Sequence, residues 1–272
     1  MMSTVDAELY GMRHRRAFTV LPIVWLLQIV LFAYLANFIV AMTVDGLTEE
    51  QRAAMKASLG TDAVSAAVLG SLPMYGAPVL IILGALMAAG DERSGILRLT
   101  LSRVPERATV LVGKLTALLL LVSVVIVLSM VTAAVCAVVF SAIDGASMRW
   151  NAVAIVADTA ASWLIAVAWA MFGFMLGIVT RSLAASIAIG VLWALVVEQM
   201  VHGLAAVATV LAPVRVGLIS GASAVLADAA GIATMPGGVP DAPLGIAILV
   251  LVAWCILSAG VAAVVFRARD IR

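Results

Sequence analysis

The sequence predicts an all-α membrane protein with six transmembrane helices, a short amphipathic helix ahead of the first, and short re-entrant helices after the fifth. Three observations carry this. Of 272 residues, 65% are apolar and 11% charged, and the mean hydropathy is +1.20; soluble domains average about 45–50% apolar and about 25% charged, so a soluble fold is excluded. A run of about 20 apolar residues crosses a bilayer as a helix, and six uncharged runs approach or exceed that length: Ala17 to Val44, Ala63 to Gly90, Leu115 to Ile143, Thr159 to Thr180, Ser182 to Val197 and Ala242 to Phe266. Finally, the basic residues are unevenly divided between alternate loops. Twelve, including Arg13, Arg15, Arg16, Arg93, Arg98, Arg107, Lys114 and Arg267, fall on the side of the two termini, and four (Arg52, Lys56, Arg149, Arg215) on the other. Lys and Arg are retained in the cytoplasm, so both termini are expected inside.

Taken in order, residues 3–16 form the first element. Val5, Leu9 and Met12 recur at helical spacing, Ser3 and Asp6 have capping-box spacing, and Arg13, Arg15 and Arg16 close the segment. This pattern fits an interface helix on the cytoplasmic membrane surface. Span 1, residues 17–44, is too long for a cleaved signal peptide and lacks a small-residue cleavage site. In the loop that follows, Thr48 and Gln51 form a capping pair and Gly60 a stop signal, which predicts a solvated helix on the outer face. Span 2, residues 63–90, carries Gly70, Pro73, Gly76, Pro78 and Gly84, a density that bends or breaks a helix. Such breaks persist in membranes where neighbours or water satisfy the freed backbone groups, so this span either lines a path or packs tightly through its small residues.

The segment 91–111 carries Ile96, Leu97, Leu99, Leu101 and Val104 among its basic residues. That is too apolar for a solvated connector and fits a compact cytoplasmic helix. Spans 3 and 4 are expected over residues 112–143 and 155–180, the latter with Gly173 and Gly177 at a spacing that permits close helix approach. Span 5 is expected over 182–201. The stretch 202–240 is apolar but interrupted by Pro213, Gly221, Gly231, Pro236 and Pro240, which predicts an outer re-entrant segment. Span 6 covers 242–266. No duplication of the halves is visible, unlike the inverted repeats of many secondary transporters.

The run Gly90-Asp91-Glu92-Arg93-Ser94-Gly95-Ile96-Leu97-Arg98-Leu99, then Ser102, Arg107 and Val110-Leu111-Val112-Gly113-Lys114-Leu115, resembles the inner loop of ABC type-2 membrane permeases. In that family an acidic residue precedes Gly-Thr-Leu, a Leu-rich stretch leads to Pro-Val-Ser-Arg, and a further turn ends in Gly-Lys. Here Ile96 stands in place of Thr, Asp91 in place of Glu, and Pro105 falls one position late. The close match covers about 25 residues, and the layout of surface helix, six spans and broken fifth connection is similar along the whole chain. The resemblance implies a transport subunit that pairs with a second permease chain, identical or paralogous, and docks two cytoplasmic ATPase subunits. Asp91, Glu92, Gly95, Leu97, Arg98, Leu99, Leu101, Arg107 and Lys114 would form the coupling element, with Leu9, Met12, Arg13, Arg15 and Arg16 on the interface helix.

What the chain lacks is consistent with that expectation. It contains no GxxxxGK[ST] phosphate loop, so ATP and Mg are expected in the partner ATPase and none on this chain. It has no HExxH or GxSxG motif, and an enzyme is not expected. The formal charge of +1 gives no basic field for nucleic acid. Cys136 and Cys255 sit inside apolar runs and read as packing residues. Only two of the sixteen basic residues are Lys, and Ala and Val dominate, a composition of GC-rich bacterial genomes; a bacterial cell membrane is the expected location.

Two ionisable residues interrupt the apolar pattern late in span 5. Glu198 lies about 24 Å from the inner surface by helical rise, and His202 follows one turn later on the same face. Intramembrane acids default to functional readings because of their cost in hydrocarbon. Glu198 and His202, with Pro73 and Pro78, are candidates for a path or gate; alternatively, Glu198 ties the span to the broken segment, through Arg215. The leading function is the permease subunit of an ATP-driven exporter of a hydrophobic or amphipathic substrate such as a drug, antibiotic, lipid or polymer. The alternatives are a secondary transporter or channel using Glu198 and His202, and a non-transporting membrane anchor.

Overall fold

The computed structural model describes residues 2–44, 46–90, 107–145, 147–207, 212–232 and 239–268. Every regular element among them is helical, as required where backbone groups cannot reach water. Six helices are long and apolar enough to cross a membrane: Ala17–Thr43, Thr61–Ala89, Ala108–Asp144, Ala152–Thr180, Leu183–Ala205 and Leu244–Ala268. The chain is a multi-pass membrane protein, and six crossings return it to the side from which it started. That side is called proximal below, and the opposite side distal.

The ends of these helices follow local chemistry. The surface helix spans Met2–Arg13 and stops before Ala17 opens span 1. On the distal side the helix Glu49–Ala57 begins with the expected capping box: the Thr48 hydroxyl accepts the Gln51 N–H at 3.2 Å, and the Gln51 side chain accepts the Thr48 N–H at 3.0 Å. Asn151 caps the start of span 4 by accepting the Ala154 N–H, and Arg181 ends it in the left-handed conformation at φ 55°. Three spans carry wide i→i+5 turns, at Ile29–Leu35 in span 1, Leu72–Gly76 in span 2 and Trp193–Val197 in span 5. The second begins beside Pro73 and ends just before Pro78, where missing N–H donors loosen the ladder.

Spans 2 and 4 form the centre, with 72% of the most apolar window of each buried, against 17–33% for the other four. Small residues let them cross at backbone distance. A Cβ placed on Gly84 would lie 2.0 Å from the Ala170 carbonyl oxygen, and one on Gly173 would lie 2.2 Å from the Ile81 oxygen. The Gly173/Gly177 spacing thus marks the face that meets span 2. Spans 3, 5 and 6 pack around span 4, and span 1 against spans 2 and 3. Trp25 of span 1 donates its indole N–H to Ser129 of span 3 at 2.7 Å. Leu27, Val131, Leu192, Leu249 and Ile256 point outward and form an apolar outer surface suited to lipid.

Several boundaries differ from the sequence reading. The surface helix ends at Arg13 and not at 16, so Arg15 and Arg16 lie in the turn into span 1. The helix of span 3 starts at Arg107 and runs 38 residues, about 57 Å, so residues 107–111 belong to it and not to a separate loop. No proline follows Arg107 before Asp144, so nothing interrupts helical propagation. The span 5 helix continues to Val207 instead of ending at 201, because its polar groups find partners inside the protein. Span 4 starts at Ala152, three residues earlier than expected, because Asn151 supplies the cap.

Candidate functional site

Two polar features occupy the distal half of the bundle. The first is a tie between span 5 and the re-entrant segment, which folds as Ala212–Val216 and Ile219–Ala229. The longer of these helices begins at Leu218, whose side chain cannot cap it, leaving donors at the helix start unsatisfied. Glu198 fills that role from span 5. Its Oε2 accepts the Ser220 backbone N–H at 2.8 Å, and its Oε1 accepts the Trp193 indole N–H at 3.0 Å. A carboxylate facing a helix N-terminus is favoured by the helix dipole as well as by the hydrogen bonds.

His202, one turn later, shares 2.8 Å between Nε2 and the Ser220 hydroxyl, while its Nδ1 accepts from Arg215 Nε at 3.2 Å. Glu198 is fully buried and His202 1% exposed. Gly221 sits in the elbow between them: a Cβ there would lie 1.8 Å from the Arg215 carbonyl oxygen. Trp254 of span 6 closes the arrangement by donating to the Gly217 carbonyl at 2.9 Å. Glu198 thus ties the span to the broken segment through a backbone amide, and Arg215 of that segment donates to His202.

The second feature is a cleft of about 970 Å³ between spans 1 and 2, roofed by the Glu49–Ala57 helix and flanked by residues 230–232 at the end of the re-entrant helix. Ligand sites typically occupy about 300–1,000 Å³. Gln28, Phe32 and Asn37 face it from span 1, and Asp62, Gly70, Ser71 and Tyr75 from span 2. Phe32 and Tyr75 stack with ring centroids 5.1 Å apart and planes at 14°. Neither Pro73, which is buried, nor Pro78, which is half-buried, is among the residues that line the cleft; on span 2 its wall ends at Tyr75.

At the proximal end, Lys114 is 2% exposed and pairs with Glu8 of the surface helix at 3.0 Å, its Nζ also lying 3.4 Å from the Met87 carbonyl. Met12 is buried and Leu9 packs against the core, while Arg13 and Arg16 stay exposed. Arg15 reaches over the end of span 2: a Cβ on Gly90 would lie 2.7 Å from its Nη1. Asp91, Glu92, Gly95, Leu97, Arg98, Leu99 and Leu101 lie outside the described residues, as does the side chain of Arg107. Both cysteines are free and half-buried, and no cluster of metal-ligating side chains occurs among the described residues.

Residues 54–272 match the family described as "Protein of unknown function (DUF2705)". The chain belongs to this family. The DUF2705 match takes in the cleft's span 2 wall, the tie at Glu198 and the segment between spans 2 and 3, and leaves the surface helix and span 1 outside it. No curated protein is similar enough to match this DUF2705 chain.

Sequence reasoning missed Gln28, Phe32, Asn37 and Tyr75. Gln28 and Asn37 were available as uncharged polar residues inside span 1, but an ideal helix sets them about 180° apart. The wide turn over Ile29–Leu35 takes up extra chain and brings both to one cavity.

Proposed function

We propose that this chain is the permease subunit of an ATP-driven transporter of the ABC type-2 kind, exporting a hydrophobic or amphipathic substrate from a bacterial cell, with its proximal side in the cytoplasm. The observation that carries the reading is the Gly90 to Leu115 run with its acidic, Leu-rich and Gly-Lys elements. The geometry around that run supports it. Its entry at Gly90 sits under Arg15, and its exit at Lys114 is pinned to Glu8. A push on residues 91–106 is thereby passed to the surface helix and to the long helix of span 3 together. Coupling of this sort needs a second permease chain and two partner ATPases that bring ATP and Mg. The cleft between spans 1 and 2 lies at the other end of the bundle, where a substrate path would open. Glu198 and His202 are engaged in holding the re-entrant helix, which favours this reading over a proton-coupled carrier built on them.

Co-purification with the candidate ATPase, identified from the adjacent gene, tests the proposal. Buried apolar anchors dominate interface energies and rim charges add less. Leu99→Ala with Leu101→Ala is expected to release the ATPase or abolish stimulated hydrolysis while membrane insertion persists. Arg107→Glu is expected to give a milder, salt-sensitive defect, since exposed charges are screened over about 8 Å. Full ATPase recovery and transport in the double-leucine variant would overturn the proposal.

A further inference from the structure

We infer that the cleft between spans 1 and 2 binds amphipathic cations, compounds that join a positive centre to an aromatic or apolar body. As a statement of substrate class this rests on the transporter reading above; as a statement of binding it concerns this chain alone.

Four observations converge. The walls are predominantly apolar and small, and the volume of about 970 Å³ suits a ligand of drug size. The floor holds the stacked Phe32–Tyr75 pair, with Phe32 half exposed. Aromatic faces carry negative potential and attract cations, most strongly where water is scarce. Gln28, beside the pair, has a buried side-chain oxygen with no hydrogen-bond partner among the described residues. A buried acceptor left unpaired is costly; a turn of the Gln28 amide toward the cleft, which its side chain lines, lets a ligand donor or positive centre satisfy that oxygen, and an anion cannot. Lastly, the one charged residue lining the cleft among the described residues is acidic. Asp62 stands exposed at the mouth, 13 positions from Tyr75 in the sequence, or about 20 Å along a helix.

The neighbouring cations are occupied elsewhere. Lys56 pairs with Asp144 at 2.5 Å, and Arg52 donates to the Ala41 and Val44 carbonyls. The mouth therefore draws positive charge and the floor grips it. An acid at the rim raises encounter rates, whereas the ring pair and the Gln28 oxygen hold the bound ligand.

Tetraphenylphosphonium and tetraphenylborate, alike in shape and opposite in charge, test the inference by equilibrium binding to the purified chain in phosphatidylcholine nanodiscs, with empty nanodiscs subtracted. Saturable binding is expected for the cation and none for the anion. Tyr75→Ala should weaken cation binding about tenfold, near the value of one desolvated cation–π contact, while Tyr75→Phe retains it. Gln28→Leu should weaken it several-fold. Asp62→Asn should slow association and remove its salt dependence with little change in dissociation. If Tyr75→Ala fails to give monodisperse protein, Gln28→Leu and Phe32→Leu decide. Absent saturable cation binding, equal binding of both ions, or wild-type affinity in the folded floor variants would overturn the inference. No ATPase is present in this experiment, so its failure leaves the coupling proposal standing. Failure of the Leu99/Leu101 test likewise leaves the binding result intact.

Discussion

Replacing Glu198 by Ala tests what the buried carboxylate does. The substitution removes the acceptor for two donors, the Ser220 backbone N–H at 2.8 Å and the Trp193 indole N–H at 3.0 Å. Ser220 is 1% exposed and cannot turn to solvent, so its orphaned donor costs about 1–3 kcal/mol. Trp193 is half-buried and recovers part of its loss. Loss of the cap itself falls in the same range, giving about 2–4 kcal/mol in total. At about 2–4 °C per kcal/mol for a chain near this size, the thermal midpoint should drop by roughly 5–15 °C. Glu198→Gln keeps one carbonyl acceptor and should lose about a third of that. Thermal unfolding of the detergent-solubilised protein reads the midpoint. Thiol labelling of Ser223→Cys, in a background lacking Cys136 and Cys255, reads the docking of the re-entrant helix, because Ser223 is fully buried. Faster labelling is expected in Glu198→Ala. An unchanged midpoint with Ser223→Cys still protected would refute the tie; if transport were lost under those conditions, Glu198 would belong to a gate.

Other outcomes follow from the same structure. Gly84→Ala forces a methyl to 2.0 Å from the Ala170 oxygen and 2.7 Å from the Phe174 nitrogen, both backbone atoms, so it should prevent accumulation of folded protein or cost at least about 3 kcal/mol. Gly203→Ala, with nothing within 4 Å, should be neutral or mildly stabilising in unfolding assays. Lys114→Met strands Glu8 and should lower the midpoint, and adding Glu8→Gln should restore part of the loss, since a half-broken buried pair is worse than none; a double-mutant cycle on the midpoint measures this. For sidedness, a membrane-impermeant thiol reagent on intact cells should label Ser58→Cys and spare Ser102→Cys, the reverse pattern refuting cytoplasmic termini.

Much of the architecture was already legible in the chain. Length and charge spacing located all six spans, because a bilayer demands about 20 apolar residues from any helix that crosses it, whatever its neighbours. The Thr48–Gln51 capping box was equally readable, since its hydrogen bonds close within three residues, whereas the helix ends at Ala57 with Ser58 as its cap, ahead of the Gly60 stop. The Gly173/Gly177 pair announced a close approach, though not that Gly84 and Ile81 of span 2 were on the other side. The surface helix was visible in the spacing of Leu9 and Met12, whereas its anchor, Lys114, is 106 residues from Glu8 and carried no local sign of the pairing.

Which polar groups meet was decided only by the tertiary structure. From sequence, Glu198 and His202 were two polar residues one turn apart, open to a gate or to a tie. The choice depended on Ser220 and Arg215, brought beside them by folding the re-entrant helix back on span 5. The cleft was hidden for a related reason: helical periodicity assumes a constant turn, and the wide turns in spans 1 and 2 change the phase of everything after them. Sequence fixes what each helix can bury from lipid, because that energy is a property of its own residues; which polar groups meet depends on crossing geometry and helix phase, which are set only when the spans pack.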